Sequence, residues 1–147
     1  MNTNKLNLLL ADDDEDDCLF FSEVLEELSL GTSLKTVHDG VVLMNYLSTV
    51  DQLPDALFLD LNMPLKDGIA CLSEIKQSEK LKTLPVIIIS TSLDIDVVNA
   101  LHQKGAHSYI RKPGNFSKLK DLIHTALTRI SQNKEQPTRD NFIINVN

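Results

Sequence analysis

Five short apolar runs punctuate the chain, and each is followed by a longer segment with helical spacing. This alternation constrains the fold more than any other feature. The runs are Leu6–Ala11, Leu34–His38, Ala56–Leu59, Pro85–Ile89 and Ser108–Arg111, the second being the weakest. Most lack the every-other-residue polarity of a half-exposed strand, so they read as strands buried on both faces. Between and after them come Asp16–Leu28, Val41–Val50, Gly68–Ser78, Ile95–Lys104 and Phe116–Ile130. The first places Leu19, Phe20, Val24, Leu25 and Leu28 at helical spacings, and the fourth stops at a helix-terminating Gly105. Strict β-α alternation predicts an α/β fold: a doubly wound parallel sheet of five strands with five helices on its two faces and right-handed crossovers.

The length of 147 residues suits one domain, expected over residues 1–131, with a polar C-terminal tail over 132–147 in which Phe142-Ile143-Ile144 could dock. Hydrophobic residues at 42% and charged residues at 24% exclude disorder for lack of a core. A net charge of −7 argues against nucleic acid and against anionic membrane surfaces as partners. No apolar stretch reaches the roughly 18 residues of a membrane-spanning helix. The start has no small-residue cleavage site, so a cytoplasmic location is expected. Cys18 and Cys71 have no metal or redox spacing and read as small hydrophobes.

In a doubly wound sheet, ligands bind beyond the carboxyl ends of the strands. The residues standing there are Asp12, Asp13 and Asp14 after the first strand and Asp60 after the third. Ser90 follows the fourth and Lys112 the fifth. Carboxylates so close cannot all stay ionised without compensation. A hard divalent cation supplies it, and Mg²⁺ is the common choice where a phosphoryl group is handled. A carboxylate can then act as nucleophile and become an acyl phosphate, with the lysine and hydroxyl placed for the phosphoryl oxygens.

The chain resembles the response-regulator receiver domains, of the stand-alone, chemotaxis-type kind, from about Lys5 to Ile130. The resemblance is carried by Leu8-Leu9-Leu10-Ala11-Asp12-Asp13, Asp60-Leu61-Asn62-Met63-Pro64 with Asp67-Gly68, Pro85 to Ser90, and Tyr109-Ile110-Arg111-Lys112-Pro113. It implies a flavodoxin-like sheet in the order 2-1-3-4-5. It implies that Asp60 takes a phosphoryl group from a sensor histidine kinase or a histidine phosphotransfer protein of a two-component system or phosphorelay. Mg²⁺ would be held by Asp13, Asp60 and the backbone carbonyl of Asn62, with Asp12 assisting through water. Ser90 and Lys112 would contact the phosphate, and Ser90 with Tyr109 would form the switch. The Lys112–Pro113 bond is often cis in this family. The order would also put Cys18 and Cys71 on opposite faces, out of disulfide reach.

The function expected is a phosphorylation-controlled interaction switch, catalysing only its own phosphoryl acceptance and loss. Its output surface would be helix 4, strand 5 and helix 5, engaged by a downstream protein or a second copy, since the stretch after Ile130 is too short for a DNA-binding module or an enzyme. The enzyme alternative, an aspartyl-phosphate phosphotransferase or phosphatase, wants a second acid two residues after the nucleophile, where Asn62 stands. A flavodoxin-like cofactor carrier would need a phosphate-cradling loop after strand 1, which here is acidic and without glycine. A degenerate, scaffold-only receiver is disfavoured by the complete acidic set, Ser90 and Lys112. Thr91, where many relatives carry Ala or Gly, would narrow access to the phosphoryl group. Asp14 to Asp17 read as a helix's acidic first turn, complementing its dipole.

Overall fold

The computed structural model describes residues 5–145. The apolar runs form β1 (Leu6–Ala11), β2 (Thr32–Val37), β3 (Ala56–Asp60), β4 (Val86–Ser90) and β5 (Ser108–Arg111). They pair in parallel in the order β2-β1-β3-β4-β5. Between and after them lie α1 (Glu15–Leu28), α2 (Gly40–Thr49), α3 (Gly68–Gln77), α4 (Ile95–Gln103) and α5 (Phe116–Gln132), and a short sixth helix, α6 (Arg139–Phe142), comes last.

The continuous apolar runs reflect burial on both faces, since successive side chains point to opposite sides of a strand. Leu8, Leu10, Phe58, Ile87 and Ile110 pack with Phe21 and Val24 of α1 and Ile123 and Leu127 of α5. Leu9, Ala11, Leu57, Leu59 and Ile88 pack with Leu43 of α2, Leu72 and Ile75 of α3 and Leu101 of α4. Each of the valine, leucine, isoleucine and phenylalanine side chains contributes about 1.5–3 kcal/mol by leaving water. Cys18 packs against the first cluster and Cys71 lies in the second, so both are free thiols on opposite faces. Burial pushes each thiol up to about 11.

Every long helix begins on an Asx cap. Asp14, Asp39, Asp67, Asp94 and Asn115 each accept from amides of the first turn of α1 to α5 in order. All five helix N-termini therefore lie at the carboxyl end of the sheet, where the candidate side chains stand.

Two expectations are corrected. The edge strand β2 starts at Thr32 rather than Leu34, because Thr32 and Ser33 continue the ladder opposite Leu6 and Asn7, where the Ser33 hydroxyl also donates to Asn7 Oδ1 at 3.0 Å. On α1, Leu19 and Phe20 are exposed and Phe21 is buried, so the apolar stripe is turned by about one residue. In the stretch after Gln132, where the sequence leaves docking of Phe142-Ile143-Ile144 open, α6 and the strand-like Ile143 lie along β5. Phe142 is fully buried, and the Ile144 amide donates to the Tyr109 carbonyl at 2.9 Å. Polar contacts fasten it too, with the Gln136 amide donating to the carbonyls of His102 and Ala106 at 2.7 Å each.

Candidate functional site

Sheet register builds the site. Ala11 is level with Leu59, so the next residues, Asp12 and Asp60, emerge side by side. Asp60 is level with Ile89, and Ser90 with Arg111, so Ser90 and then Lys112 come one step further along. The Lys112 amide donates to the Ser90 carbonyl at 2.7 Å, which fixes that step. Chain order reverses between β1 and β3, the switch point at which open α/β sheets bind ligands.

Asp12 and Asp60 are only 2% and 6% exposed, whereas Asp13 faces solvent. Carboxylate oxygens of Asp12, Asp13 and Asp60 lie within 4.8 Å of one another. Asp12 Oδ1 accepts from the Asp14 amide at 3.0 Å, and Asp60 Oδ1 from the Asn62 amide at 3.3 Å. Gly68 packs directly behind Asp60, since a Cβ there would stand 2.5 Å from the Asp60 carbonyl oxygen. This close approach explains the glycine after Asp67.

The Lys112 ammonium is the counter-charge. It lies 3.1 Å from Asp12 Oδ2, 2.8 Å from Asp17 Oδ2 and 4.0 Å from Asp60 Oδ1. Burial alone would lower its pKa, but Asp17, Asp12 and Asp60 overcome that and hold it above the usual lysine range. Asp60 is pushed up to about 6, by burial first; Lys112 opposes this, Asp12 and Asp13 add to it, and the Asn62 amide opposes it. The cluster thus has less positive charge than its carboxylates call for. Its donors are all hard oxygens, which fits a divalent cation of the Mg²⁺ or Mn²⁺ kind.

Ser90 is buried, and its hydroxyl lies 3.2 Å from the Ser92 hydroxyl. The Ser92 carbonyl in turn accepts from the Tyr109 hydroxyl. Tyr109 is fully buried, pointing inward between the β4–α4 loop and Phe142. Thr91 is exposed. No peptide bond among the described residues is cis, so Lys112–Pro113 is trans.

The structure therefore brings Asp12, Asp13, Asp60, Ser90 and Lys112 to one end of the sheet, with Asn62 in the loop after β3. Sequence reasoning assigns Asp17 to the solvated first turn of α1, yet it holds Lys112. A signal is present: Asp17, Phe21, Val24 and Leu28 have helical spacing, which places an acid at the head of the buried stripe. The link from Ser92 to Tyr109 also escapes sequence reasoning, because it runs through the Ser92 carbonyl, to which sequence is blind.

The family profile of the response regulator receiver domain matches residues 8–124. Response regulator Rcp1 of Synechocystis sp. is 35% identical over 121 residues, covering 79% of this chain and 80% of that protein. The crystal structure of the phosphorylated cyanobacterial phytochrome response regulator RcpA superposes with a TM-score of 0.81 at 29% identity, over 91% of this chain and 99% of that one. The Mn²⁺-bound form of Rcp1 superposes with a TM-score of 0.78 at 29% identity, over 90% and 99% of the two chains. The order β2-β1-β3-β4-β5, the acidic cluster at its switch point and these matches lead to one conclusion: the chain belongs to the response regulator receiver domain family.

Proposed function

We propose that Asp60 accepts a phosphoryl group from a phosphohistidine, of a sensor histidine kinase or a histidine phosphotransfer protein, and so controls a protein-interaction surface. The observation that carries this reading is the Asp60 carboxylate, buried at the end of β3 beside the Asp12–Asp13 pair, with the Lys112 ammonium 4.0 Å away. An Asp60 oxygen attacks phosphorus, the P–N bond breaks, and the imidazole nitrogen leaves with the bonding pair. The product is an acyl phosphate. Water later attacks phosphorus, restores the carboxylate and releases inorganic phosphate. Mg²⁺ held by Asp13, Asp60 and the Asn62 carbonyl, with Asp12 assisting, would supply the positive charge that keeps Asp60 ionised and offsets the incoming phosphoryl oxygens. Lys112 and the Ser90 hydroxyl neutralise and hydrogen-bond those oxygens. On this reading the chain catalyses nothing beyond its own phosphorylation and dephosphorylation.

Output runs through the hydrogen-bonded path from Ser90 to Ser92 to Tyr109, which joins the acidic end of the sheet to the β4–α4 loop and β5. A Ser90 hydroxyl drawn to a phosphoryl oxygen leaves Ser92, and the β4–α4 loop and Tyr109 settle anew. A downstream protein or a second copy would read the change on the α4–β5–α5 face, whose outer edge at β5 carries the chain's own residues 143–144. The net charge of −7 makes nucleic acid and anionic membrane poor partners. Among the described residues no helix is long and apolar enough to cross a membrane.

Incubation with acetyl phosphate and Mg²⁺, read by intact mass, tests the reading. One added phosphoryl group is expected in the wild type and none in Asp60→Asn. An equal adduct in Asp60→Asn removes Asp60 from the role.

A further inference from the structure

The Lys112 ammonium makes its shortest contact with a residue outside the acidic cluster. It is 2.8 Å from Asp17 Oδ2 but 4.0 Å from the nearest Asp60 oxygen, which is beyond hydrogen-bond reach. Helix capping does not account for this placement of Asp17. The cap of α1 is supplied by Asp14, whose Oδ1 accepts from the amides of Asp16 and Asp17. Asp14, Glu15 and Asp16 are exposed, whereas Asp17 is half-buried at the head of the stripe that continues to Phe21 and Val24. Among the described residues its carboxylate bonds to Lys112 and to nothing else. Of the two close carboxylates, Asp12 belongs to the candidate metal cluster and Asp17 does not. Beside the lysine stem lies a small recess lined by Leu10, Phe20, Ile89 and Pro113.

We propose that Asp17 is a positioning residue that draws the Lys112 ammonium toward α1 and away from Asp60, so that capture of a phosphoryl group must first break the Lys112–Asp17 pair. This rests on the reading of Asp60 as phosphoacceptor. The pair sets a threshold. With Asp17 in place, Lys112 is engaged until a more strongly charged acceptor appears on Asp60. The phosphoryl oxygens then outcompete one half-exposed carboxylate, because they carry more charge and more acceptor sites. The lysine's departure leaves the first turn of α1 with an unpaired acid, so α1 also registers the change.

The test is calorimetric titration of beryllofluoride, in the presence of Mg²⁺, into the full chain and its variants. Removing the competitor in Asp17→Asn should tighten binding by roughly three- to tenfold, the scale of a half-exposed charge-assisted pair. Asp17→Ser, which also removes the charge, should give the same gain, and Asp17→Glu should return the affinity to that of the wild type. Asp16→Asn removes an equal charge on the same turn without touching Lys112, and should stay within about twofold of the wild type. Loss of fold cannot mimic a gain in affinity. Unchanged or weaker binding in both Asp17→Asn and Asp17→Ser, with the wild type binding normally, overturns the proposal and leaves the phosphoacceptor reading standing. So does an equal gain in Asp16→Asn, which would make the effect one of bulk charge. A wild type that binds no beryllofluoride overturns the phosphoacceptor reading and the proposal with it.

Discussion

The Phe142 ring lies against the Tyr109 ring, with 6.4 Å between centroids, and neither side chain is exposed. The contact ties the end of the chain to the strand that leads into Lys112. His102 of α4 closes the same cluster, its ring centroid 5.1 Å from that of Phe142. Phe142→Ala should therefore cost about 3 kcal/mol, the usual scale for emptying a buried phenyl site. Thermal unfolding by circular dichroism should register it as a drop of roughly 6–12 °C. Truncation after Ser131 should cost at least as much. An unchanged melting temperature in both would mean that residues 132–145 contribute nothing to the domain.

Asp60 gives the metal-free protein a pH dependence with a definite sign. Its pKa rises from 3.8 unfolded to about 6 folded, mainly through burial. The folded state then holds the proton more tightly, so the stabilising contribution is complete below about pH 4 and is lost as pH rises through about 6. Asp60→Asn keeps the shape and removes the charge. In chelator at pH 8 it should be more stable than the wild type by about 1–2 kcal/mol, a figure discounted for solvent screening. The gain should shrink toward pH 5. Urea titrations at the two pH values measure it, and a variant less stable at pH 8 would contradict the charge deficit at the site.

The same deficit predicts stabilisation by Mg²⁺. The cluster is small and one of its carboxylates is exposed, so affinity in the millimolar range is expected. At ten times the dissociation constant the gain is about 1.4 kcal/mol. Thermal shift with and without Mg²⁺ should reveal it in the wild type and much less of it in Asp13→Asn. An equal shift in Asp13→Asn would take Asp13 out of the site.

Ser90 and Ser92 should carry the signal out of the site. Ser92→Ala removes the hydroxyl partner of Ser90 but leaves the carbonyl that Tyr109 uses. It should still accept a phosphoryl group. Hydrogen exchange on adding beryllofluoride and Mg²⁺ should change in the loop after Ser90 and in α4 of the wild type, and less in α4 of the variant. Changes confined to the loops holding Asp13, Asp60 and Lys112 would contradict output through the α4–β5–α5 face.

Most of the site is legible in the sequence because its residues stand directly after strands, where an apolar run ending in Asp or Ser marks a position unambiguously. The parallel sheet is legible for the same reason. Asp17 is hidden by its neighbours, since six acids in succession read as one solvated turn. The phase of α1 is lost in Cys18-Leu19-Phe20-Phe21, because a continuous apolar run fits several helical phases equally well. The docking of the C-terminal stretch is obscured by composition: nine polar residues and Pro137 precede Phe142, and only a tertiary partner, the edge of β5, gives that phenyl ring a place to bury.

One carboxylate of this acidic end is expected to become an acyl phosphate, and its position can be recorded chemically. Borohydride reduces an aspartyl phosphate to homoserine and spares free carboxylates, so it marks where the phosphoryl group sat. After phosphorylation from acetyl phosphate and borohydride trapping, peptide mass mapping should find homoserine at position 60 and nowhere else. Homoserine at Asp12, Asp13 or Asp17, or none at position 60 in a protein that has taken up phosphate, would contradict the role given to Asp60.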